Sequence, residues 1–405
     1  MLGGVHRALA AIAAALAAVA PAAAAQSAPA EPPLAPSAAA AIVVDARDGT
    51  VMFARKPDAE RSVASTTKLM TALLALEEAE LDDVFTAPEY NAAPAESRIN
   101  LREGEQMTVE DLLEALLLES ANDAAVALAE NISGSREAFV EQMNERADEL
   151  GLEHTGYANP IGLDEPGNHS SARDLATLTR RLLANREFAR IVDMPQAELE
   201  SGARPRVVAN RNDLIAEYPW VSGVKTGYTL NAANVLVGAA ERGRRARVVS
   251  VVLGEPTETS RNADTLQLLR WGLARFSRVR VLDPDRALGA TNIEYRDERA
   301  RLVPRRGVVL TVRDGQRLRR RVNAPEEVEG PLPAGERVGS VTVFVDGRPI
   351  RRVALVTADA VPGAGTLRVL LSVLGIPLTL LIALAILAFA VLAILRLRIR
   401  IRIVK

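Results

Sequence analysis

The stretch Ala64-Ser65-Thr66-Thr67-Lys68-Leu69-Met70-Thr71-Ala72 opens a helix that we expect to run to about Glu80. It places a hydroxyl one helical turn before an amine. Because residues three apart lie on one face of a helix, Ser65 and Lys68 are expected to project side by side. A neutral amine next to a serine hydroxyl can act as its general base. The same pattern also fits a serine N-cap followed by a solvated lysine, and the motif alone does not separate the two.

Lysine is scarce in this chain, and its scarcity favours the first interpretation. The only lysines are Lys56, Lys68, Lys225 and Lys405, so 45 of the 49 basic residues are arginine. A lysine is therefore expected where arginine cannot replace it. A general base is such a position, because a guanidinium stays protonated in proteins whereas a buried amine can lose its proton.

The composition excludes several classes of function. A chain of 405 residues can hold two domains and terminal segments, and its net charge of −2 and aromatic content of 3% argue against a nucleic-acid partner. The absence of cysteine excludes thiol catalysis, Cys-ligated zinc and disulfides. We expect neither a metal nor a cofactor. A histidine-based serine hydrolase would need His154 or His169, because His6 lies in the leader, and this also favours a lysine base.

The N-terminal segment has the pattern of a signal peptide. Residues 1–25 begin weakly positive, continue with the apolar stretch Ala8–Ala20 and end on the small residues Ala23-Ala24-Ala25. A Pro/Ala-rich linker is expected at residues 26–39. The pattern predicts export of the rest of the chain.

The C-terminal segment has the pattern of a membrane anchor. The uncharged run Val369–Leu395 exceeds the roughly 20 apolar residues that a membrane span requires. A basic tail follows at residues 396–405, with Arg396, Arg398, Arg400, Arg402 and Lys405. By the positive-inside rule this tail is cytoplasmic, which predicts a single-pass protein of the cell membrane with its domains outside the cytoplasm.

Residues 40–277 are expected to form an α+β domain with strands at both ends of the segment and helices between them. The expected strands are Ala41–Asp45, Val51–Ala54, Gly223–Gly227, Asn234–Ala240 and Ala246–Leu253. Besides the helix of Ser65, we expect helices at Met107–Glu119, Asp123–Ile132, Arg136–Leu150, Ser171–Leu183 and Ala263–Phe276.

Residues 278–360 are expected to form a small all-β domain. Short alternating or β-branched runs at Val308–Val312, Gly339–Val345 and Arg351–Val356 are separated by turns that contain Gly or Pro. This segment contains no candidate site residue and is interpreted as a spacer or protein-contact module.

Two further short motifs follow Ser65 and Lys68 along the chain. Ser120-Ala121-Asn122 falls between two expected helices, and Lys225-Thr226-Gly227 ends an apolar strand. Each motif is weak alone. In this order and spacing, the three resemble the motifs of the low-molecular-weight serine penicillin-binding proteins of the D-alanyl-D-alanine carboxypeptidase type, which are related to class A β-lactamases.

The resemblance extends over about Ala40–Phe276 and includes the segments Glu119–Ala129, Gly162–Gly167, Ser171–Leu175, Asn210–Asn212 and Arg261–Gly272. It implies a β-lactamase/transpeptidase-like catalytic domain, and the expected β domain and anchor fit the family layout more loosely. Tyr228 stands after Gly227 where other members have His or Thr, and it marks a subgroup.

The resemblance implies a substrate and a role for each motif residue. The substrate would be a peptidoglycan stem peptide that ends in D-Ala-D-Ala, and β-lactam antibiotics would bind covalently. Ser65 would be the nucleophile and Lys68 its general base, made neutral by burial and by the nearby charge of Lys225. Ser120 would relay a proton, and Asn122 would donate to the substrate carbonyl. Lys225, Thr226 and Gly227 would bind the substrate carboxylate. The backbone N–H groups of Ser65 and Tyr228 would donate to the oxyanion.

Several interpretations stay open at this stage. Arg261 either supports the carboxylate end of the site or is a solvated arginine at a helix start. Asp164 and Asp174 are interpreted as caps. The alternative functions are a β-lactamase, which would need a deacylating carboxylate such as Glu165 or Glu187, a transpeptidase or endopeptidase, and a catalytically silent cell-wall binding protein.

Overall fold

The computed structural model describes residues 35–243 and 246–403. All the elements described below lie within the unit Ser37–Lys405. The predicted signal peptide and most of the predicted linker lie outside the described residues. The predictions for those two segments therefore stay predictions.

The regular elements are named here in chain order. The strands are β1 Ala40–Asp45, β2 Val51–Arg55, β3 Val84–Thr86, β4 Gln106–Thr108, β5 Gln196–Leu199, β6 Arg206–Ala209, β7 Val221–Thr229, β8 Ala233–Arg242, β9 Ala246–Glu255, β10 Phe276–Leu282, β11 Gly289–Ile293, β12 Arg299–Pro304, β13 Val308–Arg313, β14 Leu318–Asn323, β15 Glu327–Val328, β16 Arg337–Val345 and β17 Arg348–Thr357. The α-helices are α1 Lys68–Glu78, α2 Val109–Glu114, α3 Asn122–Ser133, α4 Arg136–Glu149, α5 Ala172–Leu182, α6 Arg186–Val192, α7 Leu214–Glu217, α8 Glu258–Ala274 and α9 Thr366–Ile403.

The catalytic-domain sheet joins the two ends of its segment. Its strand order is β2-β1-β9-β8-β7, with every neighbouring pair antiparallel. Alternate side chains of a strand point to opposite faces, and both faces of β1 are buried. Ile42 packs into the core shared with the helices, whereas Val43 lies against Gly272 of α8. A sheet between two helical layers confirms the expected α+β class.

The helices at the centre of the domain are short and closely packed. The first eight residues of α1 and of α3 are all buried. Several helix starts carry hydroxyl caps, for example Ser171 Oγ, which accepts from the N–H of Asp174 at 3.1 Å. These caps satisfy N–H groups that have no partner within the helix.

At the site, two expected helices differ from the structure. The helix expected from Ser65 begins at Lys68, because Ala64–Thr67 forms a 3-10 turn in which Thr66 Oγ1 donates to Val63 O at 2.7 Å. The helix expected at 107–119 is split into β4, α2 and a π-helical turn at Ala115–Glu119. Apolar periodicity located these segments but did not reveal the local backbone irregularity.

The all-β domain is confirmed, and it begins with β10. Phe276, which we expected to end a helix, is the first residue of β10 and is buried against the partner strand β13. A six-stranded sheet in the order β14-β16-β17-β12-β11-β15 completes the domain. Arg313 of β13 connects the two domains, since its guanidinium lies 3.2 Å from the carboxylates of Asp45 and of Asp48.

Helix α9 contains the segment that was expected to cross a membrane. It spans Thr366–Ile403 and so includes Val369–Leu395. In the part of the chain that the structure describes, we find no helix with the length and apolar character of a membrane span.

Candidate active site

Two glycines allow the backbone around Ser65 to pack closely. A Cβ on Gly227 of β7 would lie 2.9 Å from the backbone nitrogen of Ser65, and a Cβ on Gly162 would lie 2.1 Å from Ala64 O. Real side chains do not tolerate such distances, and Gly162 also has a positive φ of 89°. The turn that carries Ser65 is therefore held between β7 and the loop of Gly162.

Ser65 and Lys68 are in hydrogen-bond contact. Lys68 Nζ lies 3.1 Å from Ser65 Oγ and donates to Ile161 O at 2.7 Å. The Lys68 side chain is 0% exposed. Burial, and then the positive charge of Lys225, hold the pKa of Lys68 well below its ordinary value. A neutral amine at this distance can accept the proton of the serine hydroxyl.

Ser120 presents an unpaired hydroxyl at the end of the π-helical turn. Its backbone is left-handed, with φ 64°, and its Oγ is buried without a hydrogen-bond partner among the described residues. Ala64 is also left-handed, with φ 49°. Non-glycine residues in this region cost of order 1–3 kcal/mol and cluster at functional sites. Such strain next to Ser65 and at Ser120 is consistent with the predicted roles of both serines.

Asn122 begins α3 and contacts residues that the sequence did not single out. Its Nδ2 donates to Glu96 Oε2 at 2.7 Å, and the same oxygen accepts from the hydroxyl of Tyr90. Asp123 follows and accepts the backbone N–H groups of two residues in the same loop as Glu96. No local motif marks Tyr90 or Glu96, because both lie in the irregular segment between β3 and β4.

Lys225 is the second buried lysine of the site. It is 1% exposed, and its Nζ donates to Thr226 O at 3.1 Å. Burial and the charge of Arg211 lower the pKa of Lys225 to about 7, Glu119 acts in the opposite direction, and Arg261 lowers the pKa further. Thr226 is also buried. The surroundings of Lys225 are therefore positive, which suits the binding of a carboxylate.

The structure decides between the two interpretations of Arg261. Its side chain is buried, with the whole residue 2% exposed, so the interpretation as a solvated arginine is wrong. Desolvation lowers the pKa of Arg261, and its charge reaches Lys225. Arg261 is thus a buried charge that acts on Lys225, and its predicted support of the carboxylate end of the site stays a prediction.

Tyr228 lies on the edge strand β7, where its side chain is 60% exposed. Among the described strands, β7 pairs with β8 alone, so it is an edge strand of the sheet. The oxyanion role of the Tyr228 N–H stays a prediction, as do the roles assigned to the other motif residues.

The remaining polar candidates have structural partners. Asp164 accepts from Thr229 Oγ1 at 2.7 Å, and Asp174 accepts from the backbone of His154 at 2.8 Å. His154 and His169 lie partly exposed near Glu60.

The two glutamates that a β-lactamase reading would use also have other partners. Glu165 accepts from Asn159 and Glu187 pairs with Arg190, so the hydrogen bonds found in the described residues join neither to Ser65. In the part of the chain that the structure describes, no three potential metal ligands lie together.

Two family models match the chain. A model described as D-alanyl-D-alanine carboxypeptidase matches residues 25–257, more than half of the chain. A model described as the C-terminal domain of penicillin-binding protein 5 matches residues 276–363.

Curated relatives and solved structures agree with these matches. The D-alanyl-D-alanine carboxypeptidase DacC of Escherichia coli is 32% identical over 353 residues, 81% of this chain and 85% of the relative. Penicillin-binding protein 5 from Haemophilus influenzae is 30% identical with a TM-score of 0.58, and the match covers 82% of this chain and 99% of that one. The Streptomyces K15 DD-transpeptidase is 30% identical with a TM-score of 0.56, and the match covers 59% of this chain and 98% of that one.

Proposed function

Because the chain belongs to the D-alanyl-D-alanine carboxypeptidase family of serine peptidases, we propose that it removes the terminal D-alanine of peptidoglycan stem peptides through an acyl-enzyme on Ser65. The observation that carries this proposal is the 3.1 Å contact between Ser65 Oγ and the fully buried Nζ of Lys68. Burial and the charge of Lys225 lower the pKa of Lys68 well below its ordinary value, which favours the neutral amine, and an adjacent hydroxyl is then activated as a nucleophile.

The first step transfers the stem peptide to the enzyme. Ser65 Oγ attacks the carbonyl of the penultimate D-alanine while Lys68 takes the hydroxyl proton. The backbone N–H groups of Ser65 and Tyr228 bind the developing oxyanion, and one such donor lowers a barrier by about 3 kcal/mol. The peptide bond then breaks, and the proton passes through Ser120 to the amine of the departing D-alanine.

The second step releases the trimmed peptide. Lys68 takes a proton from the water that attacks the ester on Ser65 and passes it to Ser65 Oγ as the acyl–oxygen bond breaks. The stem then leaves with a single terminal D-alanine. Throughout the first step, Lys225 and Thr226 hold the C-terminal carboxylate of the substrate, and Arg211 and Arg261 add positive charge around it. Asn122 donates to a carbonyl of the substrate.

Covalent labelling by a fluorescent penicillin tests the nucleophile. We expect the wild type to label and to release D-alanine from a peptide that ends in D-Ala-D-Ala. Ser65→Ala should do neither, and Ser277→Ala, which changes an exposed serine of β10, should do both. Labelling that survives Ser65→Ala would refute the assignment. Labelling without D-alanine release would refute the carboxypeptidase reaction.

Transfer of the acyl group to an amine is a second candidate reaction of the same intermediate. The likeness to the Streptomyces K15 DD-transpeptidase favours it. Mass spectrometry of the products in the presence of a D-amino acid separates the two reactions. A product in which the added D-amino acid replaces the terminal D-alanine identifies transfer, and the shortened peptide identifies hydrolysis.

We also propose that the chain is exported and held at the cell membrane by residues 369–395, with the basic tail in the cytoplasm. The support is the sequence alone: an uncharged run of sufficient length followed at once by five basic residues. Membrane fractionation of the full chain tests the anchor. Replacement of Leu384 and Ile386 by arginine should release the protein, whereas unchanged sedimentation with membranes would contradict the proposal.

A further inference from the structure

We propose that Glu96 is a positioning residue for acylation: its carboxylate, held by Tyr90 and by the backbone of Ala93, fixes the side-chain amide of Asn122 and supplies negative charge near Lys68. This inference rests on the proposed acyl-enzyme at Ser65. It concerns a residue outside the three motifs, in the segment between β3 and β4.

The segment that carries Glu96 is tied to the start of α3. The backbone N–H of Asn122 donates to Ser97 O at 2.8 Å. The carboxylate of Asp123 accepts the N–H groups of Ile99 and Leu101 at 3.1 and 2.9 Å. Three hydrogen bonds to consecutive residues of α3 therefore set the distance between this segment and the second motif, and they do so without using the Glu96 side chain.

The Glu96 carboxylate is surrounded by donors. One oxygen accepts the N–H of Ala93 at 2.8 Å, and the other accepts Nδ2 of Asn122 at 2.7 Å and the hydroxyl of Tyr90. Burial would raise the pKa of Glu96, but these donors and the charge of Lys68 outweigh it and hold the pKa below its usual value. Glu96 is therefore ionised and can only accept hydrogen bonds.

An acceptor-only neighbour fixes the orientation of the Asn122 amide. The nitrogen of Asn122 must face the Glu96 carboxylate, since its oxygen would be repelled there. One N–H of the Asn122 amide then donates to Glu96, and this contact fixes the orientation of the second N–H and of the amide oxygen. Burial, and then the Glu96 carboxylate, raise the pKa of Tyr90, so its hydroxyl stays protonated and continues to donate. Tyr90 and Glu96 thus form a rigid support for the residue expected to bind the substrate carbonyl.

The same carboxylate also acts on the general base through its charge. The groups that act on Lys68 are Lys225, which lowers its pKa, and Glu96 and Asp123, which raise it. The guanidinium of Arg136 lies 5.7 Å from the centre of the Tyr90 ring. Removing the charge of Glu96 alone should therefore lower the pKa of Lys68 further, because burial and Lys225 still act to lower it.

The test is the pH dependence of Ser65 acylation by a fluorescent penicillin. In Glu96→Gln the shape of the side chain and an acceptor for Asn122 are kept, but the charge is lost. The pKa of Lys68 should fall, so the acid limb of the acylation rate should move to lower pH by about half a unit or more, less than the 1–3 units typical of a directly paired opposite charge. The plateau rate should stay within a few-fold of the wild type.

Three further variants separate charge from support. Glu96→Ala removes both, and its plateau rate should fall about tenfold or more, the cost of a lost hydrogen bond to a charged group. Tyr90→Phe removes one donor but keeps the carboxylate, so the plateau should fall a few-fold with the acid limb unmoved. Glu103→Gln removes an exposed carboxylate of the same segment and should match the wild type in both respects.

The outcomes separate this inference from the proposed function. An acid limb of Glu96→Gln that coincides with the wild type, or moves to higher pH, overturns the inference while the acyl-enzyme on Ser65 stands. A wild-type plateau rate in Glu96→Ala does the same. If the wild type shows no Ser65-dependent labelling at any pH, both this inference and the proposed function are overturned. A purely structural role would lower the plateau and the melting temperature and leave the acid limb in place.

Discussion

Lys68 and Lys225 are almost equally buried, but the regions around them differ in charge. Lys68 lies on the helical side of the site, where the carboxylates of Glu96 and Asp123 partly offset burial. Lys225 lies on the strand side, where Arg211 and Arg261 add to the effect of burial and Glu119 opposes it. The chain therefore uses the same residue type in a region with nearby negative groups and in a region that is mainly positive.

We propose different tasks for the two lysines. A general base needs an amine that can be neutral before the substrate arrives, and burial next to another positive charge provides one. A carboxylate-binding lysine needs a positive setting that the substrate neutralises when it binds. The neighbouring side-chain charges act on the two amines differently, and this difference gives a way to test the proposed roles of proton acceptor and anion receptor.

The largest expected effect comes from replacing the base. Lys68→Arg keeps a positive, hydrogen-bonding side chain but cannot be deprotonated in a protein. We expect the rate of Ser65 acylation to fall by about 10²–10⁴, the usual contribution of general acid–base catalysis. Stopped-flow labelling with a fluorescent penicillin measures it, with the melting temperature as the control for folding. Full activity of Lys68→Arg would show that Lys68 is not the base.

The next effect comes from replacing the anion receptor. Lys225→Gln removes a charge-assisted hydrogen bond worth about 1.5–3 kcal/mol, so kcat/KM for a D-Ala-D-Ala peptide should fall about tenfold to 150-fold. A thioester substrate without the terminal carboxylate should lose much less. Equal losses for the two substrates would contradict carboxylate binding by Lys225.

The protonation of Lys68 and that of Lys225 should change kcat/KM in opposite directions as the pH rises. Lys68 acts as the free base, so kcat/KM should rise as pH increases through its lowered pKa. Lys225 must be protonated to bind the carboxylate, and because its pKa is lowered to about 7, kcat/KM for the peptide should fall above that pH, by up to about tenfold per pH unit. The thioester should show only the rise. A peptide profile that stays flat from pH 7 to 9 would contradict the assignment.

The smallest expected effects come from the charges beside Lys225. Arg211 and Glu119 pair with each other but act on the pKa of Lys225 with opposite signs. Arg211→Gln should move the alkaline limb of the peptide profile to higher pH, and Glu119→Gln should move it to lower pH, each by about half a unit. If Arg211→Gln and Glu119→Gln shift the alkaline limb in the same direction, the limb does not report the titration of Lys225.

Much of this architecture could be predicted from the sequence. Lys68 was singled out by the scarcity of lysine, and apolar patterns identified the sheet strands and most helices of the catalytic domain. The exposed loops were harder. Glu96 and Tyr90 lie in an irregular segment whose path is set by bonds to Asn122 and Asp123, and no periodicity reports such tertiary contacts.

Local backbone strain and the burial of single charges could not be predicted either. The left-handed conformations of Ala64 and Ser120 depend on close packing against β7 and within the π-helical turn. Arg261 has the pattern of an ordinary residue in the first turns of a helix, yet the fold buries it near Lys225. Its burial depends on the packing of α8 against β8 and β9, which come together only in the folded chain.

The most direct test of the difference between the two lysines is an NMR titration of the full chain labelled at lysine Nζ and Cε. With only four lysines, all the signals can be assigned by single substitutions, and Lys68→Arg and Lys225→Gln identify the two that matter. We predict that the Lys68 signal titrates well below the ordinary lysine value of 10.5 and that the Lys225 signal titrates near 7. A Lys68 signal that titrates at or above 10.5 would contradict its assignment as the base.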